Sequence, residues 1–356
     1  MKKTFQQKLT PVILFLSLSA MSNSGNAEGS DPSRLHVNTE SKKVVEQLYG
    51  YFQEGDMDKI LSLLDPEVIF KLHGPEHQIP WAGTYKRHAG VVLFFSRIMA
   101  TLNIAEVRHD QYVVDGEHVN VIGRDIGTVR STGGAFDAAY LHSWHVRNGK
   151  ILKLEEITDT AELINALSPA DPVRGRAYFT TCAGCHGNNA EGNVFMRAPR
   201  LTLQGNDYLL RQLRHFREEI RGGVSDFYGW QMNGRAKALL DDRAIRDVLA
   251  YIDTLPDTSA DDLTKGNTRE GRRLYNNNCS SCHGDNAEGS NSLKAPVLAG
   301  LEGWYQLEQL RKFKSGLRGA HNKDIPGQQM RAAMGPIKNE KAMQDIIKYI
   351  NNISEH

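Results

Sequence analysis

The chain has 356 residues, a formal net charge of +1, 40% hydrophobic residues and four cysteines. This length exceeds that of one typical domain, so two or three domains are expected. The balanced charge excludes a protein that binds nucleic acid through a broadly basic surface.

Residues 1–27 have the pattern of a secretory signal peptide. Lys2 and Lys3 precede an apolar run from Leu9 to Ala20, and Gly25-Asn26-Ala27 has the form of a cleavage site. The run is too short for a good membrane span, and an uncleaved anchor is the alternative. We expect cleavage after Ala27, and the periplasm as the location of the mature protein.

Residues 40–165 predict a domain in which helices come before strands. Apolar spacing predicts helices over 44–52, 56–64 and about 87–102, with an extended run at Val68-Ile69-Phe70 between the second and the third. Four strands then follow near 105–114, 118–130, 136–147 and 150–158, joined by turn pairs such as Asn148-Gly149.

The third of these four strands carries a candidate site. Its alternation places Tyr140, His142 and Trp144 on one face. Asp125 and His73 are candidates to complete a pocket with acid–base chemistry, because a histidine beside a carboxylate suits proton transfer. The alternative interpretation is that these are ordinary core or surface residues.

All four cysteines lie in two copies of the C-x-x-C-H motif, Cys182 to His186 and Cys279 to His283. In this motif the two thiols, here Cys182 with Cys185 and Cys279 with Cys282, bind the haem vinyl groups, and the histidine ligates the iron. A shared zinc site would bring its two halves closer in sequence, and thioredoxin-like pairs would need strand–helix alternation. The motifs therefore predict two covalently bound haem c groups.

The two motifs belong to an internal repeat. At an offset of 97 residues, Gln212-Leu213-Arg214-x-Phe216 matches Gln309-Leu310-Arg311-x-Phe313. After one inserted residue the offset is 98, and Gly229-x-Gln231-Met232 matches Gly327-x-Gln329-Met330. We expect two helical domains, residues 170–256 and 265–356, each with one haem and a last helix whose apolar side packs in the core.

Methionine is the expected sixth iron ligand of an electron-transfer haem. Met232 and Met330 occupy matching positions of the repeat. Met196 has no matching methionine in the second copy, and Met334, the competitor there, matches an alanine. We therefore expect Met232 and Met330 to be the ligands, with simple core packing as the alternative.

Histidines other than those of the motifs are weaker candidates for the iron. Neither His215 nor His321 has a histidine at the matching position of the other copy. The motif histidines also need a hydrogen-bond acceptor for their second ring nitrogen, and the carbonyls of Pro199 and Pro296 are the candidates.

Four arginines recur at helical spacing in the first copy. They predict a solvated helix face or, alternatively, a docking site for an acidic redox partner; they are Arg211, Arg214, Arg217 and Arg221.

Residues 170–356 resemble a dihaem cytochrome c of the cytochrome c4 type, with two all-α class I domains in tandem. The resemblance rests on the paired motifs, the Ala-Pro-x-Leu loops and the late methionines. It implies iron ligation by His186 with Met232 and by His283 with Met330. One departure is that a glycine precedes the first motif by seven residues (Gly175) and the second by eight (Gly271).

The amino-terminal part resembles the SnoaL-like branch of the nuclear transport factor 2 (NTF2) superfamily. The resemblance rests on Gly83-x-Tyr85, on the helix with Phe94-Phe95 and on the hairpin from Trp144 to Ile151. It implies an α+β cone with an internal pocket, in a superfamily of enzymes, binding modules and dimerisation modules. The epoxide-hydrolase pattern of arginine and aspartate two apart is missing, because Arg124 and Asp125 are adjacent.

These observations predict an electron carrier rather than a self-contained enzyme. Its partners would be periplasmic or membrane-bound redox proteins, and its amino-terminal module would bind a small molecule, a partner or a second copy of the chain. The alternative is a redox enzyme whose substrate lies in the NTF2-like pocket and exchanges electrons with the haems. Two methionine ligands argue against substrate binding at iron.

Overall fold

A computed structural model describes residues 32–257 and 264–353, and the proposed signal peptide at 1–27 lies outside these ranges. The chain divides into two compact units, one ending at Ser168 and the other beginning at Pro169. No helix within the described ranges is long and apolar enough to cross a membrane.

Within residues 32–168, the first unit has a mixed six-stranded sheet and four helices. The strand order is β2-β1-β6-β5-β4-β3; β1 and β6 run parallel and all other neighbours run antiparallel. The elements are α1 (Pro32–Glu54), α2 (Met57–Ser62), β1 (Leu64–His73), β2 (Gly83–Lys86), α3 (Arg87–Thr101), β3 (Leu102–Asp115), β4 (His118–Val129), β5 (Ala135–Arg147), β6 (Lys150–Thr158) and α4 (Thr160–Leu167).

Alternation along the strands builds the core of this unit. On β5 the buried positions are every second residue, including Tyr140, His142 and Trp144. Trp144 meets Phe70 of β1 edge to face, with ring centroids 5.7 Å apart, and Phe94 of α3 packs on Phe70 at 5.8 Å. The predicted helices and strands are confirmed, and β2 and α4 are additions that the sequence pattern did not predict.

The second unit is all-helical and shows the repeat. In the first copy the helices are α5 (Pro172–His186), α6 (Asn206–Arg217), α7 (Phe227–Lys237) and α8 (Asp242–Ile252). In the second copy they are α9 (Thr268–Asn278), α10 (Ser280–His283), α11 (Gly303–Ser315), α12 (Ile325–Ala333) and α13 (Glu340–Ile353). The apolar sides of α8 and α13 are buried as predicted, through Ile245, Val248, Leu249 and Ile252, and through Met343, Ile346, Ile347 and Ile350.

Each copy has a close crossing between its first and last helices. A Cβ added at Gly175 would lie 1.8 Å from the carbonyl oxygen of Asp247, and one at Gly271 would lie 1.9 Å from that of Asp345. The two glycines therefore do the same task despite their different spacing from the motifs. The second copy has one more residue between this glycine and the motif. Its helix is interrupted at Cys279 and forms α9 and α10, whereas the corresponding helix of the first copy, α5, is continuous.

Candidate functional site

The motif histidine of each copy is fixed by a backbone carbonyl. His186 Nδ1 lies 2.7 Å from the Pro199 oxygen, and His283 Nδ1 lies 3.0 Å from the Pro296 oxygen. Because a carbonyl only accepts, each Nδ1 carries the proton and each Nε2 keeps its lone pair. Burial lowers the pKa of both imidazoles and so favours the neutral form that binds a metal.

Both motifs line one cavity of about 660 Å³ in the second unit. Its wall is predominantly apolar and includes Met232 and Met330 together with the histidines. Met196 and Met334 also line it, and Met334 is 3% exposed and packs in the core of the second copy. Both predicted methionines therefore line the cavity that the motifs share.

Two buried arginines lie where the copies meet. Arg221 donates to Gln212 at 2.5 Å and to Gln309 of the other copy at 3.0 Å. Arg318 does the reverse, donating to Gln309 at 2.8 Å and to Gln212 at 3.2 Å. Two guanidinium groups thus share two uncharged amide oxygens in the interior, and both Nε atoms lack an acceptor among the described residues.

This arrangement fits haem. A buried cation is costly without a counter-charge, and haem carries two propionate carboxylates. Arg221 and Arg318 line the same cavity as the motifs and would bind these carboxylates. The cysteines would hold the haem edges, the motif histidines would bind the iron, and the apolar wall would exclude water.

The other arginines of the predicted row are half-buried and are bonded within the protein. Arg214 and Arg217 both form ion pairs with Asp242, and the distance from the Arg217 guanidinium to the Asp242 carboxylate is 2.6 Å. Arg211 donates to the Lys294 carbonyl of the other copy at 2.7 Å. These arginines therefore contribute to packing within the first copy and between the two copies.

The first unit has a second cluster of polar groups on the inner face of its sheet. Trp144 Nε1 donates to the Tyr49 hydroxyl at 3.0 Å, and that hydroxyl lies 2.8 Å from His142 Nδ1. The ring of His142 stacks on Tyr140 at 3.9 Å, and its Nε2 lies 3.6 Å from the buried Glu156 carboxylate. The three candidates on β5 are therefore gathered in one place.

His109 completes the cluster. Its Nδ1 lies 2.7 Å from the Tyr140 hydroxyl, which also lies 2.9 Å from the Arg108 carbonyl, and its ring stacks on Tyr49 at 3.9 Å. Burial is the main reason that the pKa of His109 falls to about 4, so the ring is neutral at pH 7. Gly123 faces this point, because a Cβ there would lie 2.5 Å from the Tyr140 hydroxyl.

Of the other two candidates, Asp125 belongs to this cluster and His73 does not. Burial is the main cause that raises the pKa of Asp125 to about 7, with a smaller contribution from Glu156. His73 follows the buried Leu72 on β1 and so points to the opposite face, where its exposed ring lies 3.4 Å from Glu155. The pairing of His73 with Asp125 is therefore corrected.

The sequence pattern missed Tyr49, His109 and Glu156. Tyr49 comes from α1, and helical spacing alone does not tell which sheet residue it meets. His109 precedes a shift in the β3–β4 register, so simple alternation does not fix its side of the sheet. Glu156 was detectable, because it pairs with His142 across β5 and β6.

Comparison with known protein families gives two matches. Residues 172–256 and 268–354 match the cytochrome c family, and residues 45–154 match the SnoaL-like domain. The chain is 28% identical over 167 residues to cytochrome c4 of Azotobacter vinelandii, which covers 43% of this chain and 77% of that protein. It is 34% identical over 116 residues to the Cbb3-type cytochrome c oxidase subunit CcoP of Rhodobacter capsulatus, which covers 30% of this chain and 38% of that protein.

Among solved structures, reduced cytochrome c4 from Pseudomonas stutzeri aligns with 23% identity and a TM-score of 0.41, over 51% of this chain and 97% of that one. Taken with the α+β sheet domain and the two helical copies, the family matches identify a SnoaL-like (NTF2-like) domain followed by two cytochrome c domains, and the cytochrome part is similar to dihaem cytochromes of the cytochrome c4 type.

Proposed function

We propose that the chain is a periplasmic electron carrier with two covalently bound haems, which passes single electrons between redox proteins. The observation that carries this proposal is the common cavity, which both motifs and both late methionines line. Bound haem would supply the one-electron chemistry. The chain would supply the proximal imidazoles, the thioether ligands Met232 and Met330, and a wall that keeps water out.

A carrier and an enzyme acting at iron differ in the sixth coordination position. If Met232 and Met330 fill it, carbon monoxide added to the reduced protein leaves the visible spectrum of both haems unchanged. Met330→Ala should open one haem and produce a carbon monoxide complex at half the total haem. Rapid carbon monoxide binding by the native protein at neutral pH would contradict the carrier.

A group of exposed apolar side chains on the first copy supports docking of a redox protein there. We call this group the apolar rim; it consists of Phe195, Met196, Phe227, Tyr228 and Trp230. Phe195 is 93% exposed and Trp230 is 53% exposed. Three of the five line the haem cavity, so the rim lies at its mouth. Large exposed apolar groups mark interaction sites.

The second copy repeats the rim only in part, because Leu293 and Ile325 are exposed apolar residues there, whereas Ser292 and Gln328 replace Phe195 and Trp230. The residues at the matching positions are Ser292, Leu293, Ile325, Pro326 and Gln328. Arg197 and Arg235 also line the cavity beside the rim and favour a partner with acidic groups around an apolar centre. The first copy is thus the proposed port for electron exchange.

The matching residues supply the test. Phe195→Ser and Trp230→Gln give the first copy the side chains of the second. Oxidation of the reduced protein by membranes from the source bacterium should slow at least tenfold, while oxidation by ferricyanide, a small ion that needs no docking surface, stays the same. The partner would dock elsewhere if both rates stayed unchanged.

For the amino-terminal domain, we propose a ligand-binding or dimerisation role. The group of Tyr49, His109, Asp125, Tyr140 and His142 also supports the rival function, a redox enzyme acting on a small molecule held there. A carboxyl with a pKa of about 7 beside histidines is suited to proton exchange. Asp125→Asn separates the two, because only the enzyme would lose turnover in that variant while its haem spectra stay normal.

A further inference from the structure

The contact between the two cytochrome copies contains a pair of matching ion-pair positions. Lys312 Nζ of the second copy lies 2.8 Å from Asp226 Oδ1 of the first. In the repeat, His215 of the first copy matches Lys312, and Asp324 of the second copy matches Asp226. His215 Nδ1 lies 3.8 Å from Asp324 Oδ1. Both aspartates also cap the following helix, by accepting from Gly229 and Gly327.

The two positions differ in charge. Lys312 also pairs with Glu308 one turn earlier, at 2.6 Å, so its cation has two carboxylates. His215 has Arg211 at the position that matches Glu308. The copies therefore place a permanent cation at one position and a neutral or protonated imidazole at the other.

His215 is closed off from water in this interface. Its side chain is 10% exposed, that of Asp324 is 9% exposed, and His215 Nδ1 has no hydrogen-bond partner among the described residues. The charged groups that face it are Asp324 from the second copy, Arg211 and Glu218 from its own helix and cap, and Arg221. Burial is the largest influence on the pKa of His215, and it disfavours the protonated form.

We propose that His215 is an acid-sensitive proton-binding site that controls the contact between the two haem domains. With the interface closed, His215 is neutral and Asp324 keeps its cap. When the interface opens, the imidazole meets water and takes up a proton. Proton binding thus favours the open form, and Lys312 with Asp226 remains as the second ionic contact.

The direction of the pH effect on the closed form follows from the difference in the pKa of His215 between the two forms. Burial lowers the pKa of His215 in the closed form, whereas the open form has the ordinary value of about 6.5. The closed form is fully stable above that ordinary value and loses stability as the pH falls below it. Between pH 7.5 and 5.5 one such proton multiplies the opening equilibrium by up to about tenfold.

Hydrogen–deuterium exchange of the full haem-loaded chain tests this proposal. The amides of α6 and α11 are followed at pH 7.5 and 5.5, in the native chain and in His215→Gln, with rates corrected for intrinsic exchange. We expect opening of these helices to rise several-fold, and at most about tenfold, more in the native chain than in the variant. An equal rise in both would overturn the proposal.

A second variant keeps the test decisive if His215→Gln does not fold correctly. Arg211→Glu combined with His215→Lys gives the first copy the charges of the second, and unchanged haem spectra verify its fold. Its α6 exchange should show no extra opening at pH 5.5. An acid response as large as that of the native chain would place the proton elsewhere.

Discussion

The Pro199 carbonyl oxygen lies 2.7 Å from Nδ1 of His186, thirteen residues before it in the chain. The same relationship joins His283 to Pro296 at the same separation. In each copy the loop after the motif thus fixes the imidazole, with Nε2 free to bind iron. Ring orientation of this kind is part of a metal site, because it raises the basicity of the ligating nitrogen.

The first prediction concerns the methionine ligands. Oxidised native protein should show the weak far-red absorption band of methionine bound to ferric haem. Met232→Ala should remove about half of it, and so should Met330→Ala. Met334→Ala is the control, because Met334 lines the same cavity but matches an alanine in the first copy. If Met334→Ala halves the band and Met330→Ala leaves it whole, the ligand of the second copy is Met334.

The second prediction concerns the helix crossings. Gly175→Ala places a methyl group 1.8 Å from the Asp247 oxygen, so α5 and α8 must move apart. We expect a loss of roughly 3 kcal/mol in the free energy of unfolding of the first copy, in the upper range for overpacking. Gly223→Ala is the control, since nothing lies within 4 Å of a Cβ there. Thermal unfolding followed at the haem absorption bands measures the stability of both variants. Equal unfolding midpoints for Gly175→Ala and Gly223→Ala would contradict a close contact between α5 and α8 at Gly175.

A third prediction follows from the raised pKa of Asp125, about 7 in the folded domain. The unfolded carboxyl ionises near pH 4, so the folded domain loses stability as the pH rises from about 4 to 7. Asp125→Asn avoids this loss, and should be more stable than the native domain by up to about 4 kcal/mol at pH 8 with little difference at pH 4. Denaturant unfolding measures this difference, with the exposed Asp58→Asn as control. A difference independent of pH would refute the assignment.

The fourth prediction is that the two units fold separately. A cut after Ser168 should give a colourless folded piece, residues 28–168, and a red piece with unaltered haem spectra. We also expect the colourless piece to dimerise. Sedimentation of both pieces tests this: an unfolded amino-terminal piece would refute modularity, and a dimer found only in the red piece would move the assembly surface.

Much of the architecture was readable from the sequence because its signals are local. Strand alternation around Trp144 and helical spacing around Ile245 each follow from one buried face, and the structure has both. The Pro199 and Pro296 carbonyls were also predicted as the acceptors for the motif histidines, and the structure confirms both.

Contacts between distant segments were not readable. The arginine row that begins on α6 has the spacing of a solvated face, but Arg221 lies beyond the end of that helix and meets Gln309 across the interface of the copies. His109 lies beside a bulge that breaks the alternation of β3. His73 was predicted to lie near Asp125, but the alternation of side chains along β1 places His73 on the opposite face of the sheet. Each case depends on which surfaces meet, and periodicity carries no information about that.

The most direct test of the central claim is the mass of the protein matured in a periplasm with active haem attachment. We expect the mass of the polypeptide without the leader plus the mass of two haems, and we expect both haems to be retained under denaturing conditions. Cys182→Ala combined with Cys185→Ala should retain one. A bare polypeptide mass under full maturation, or about two zinc ions per chain, would contradict the account.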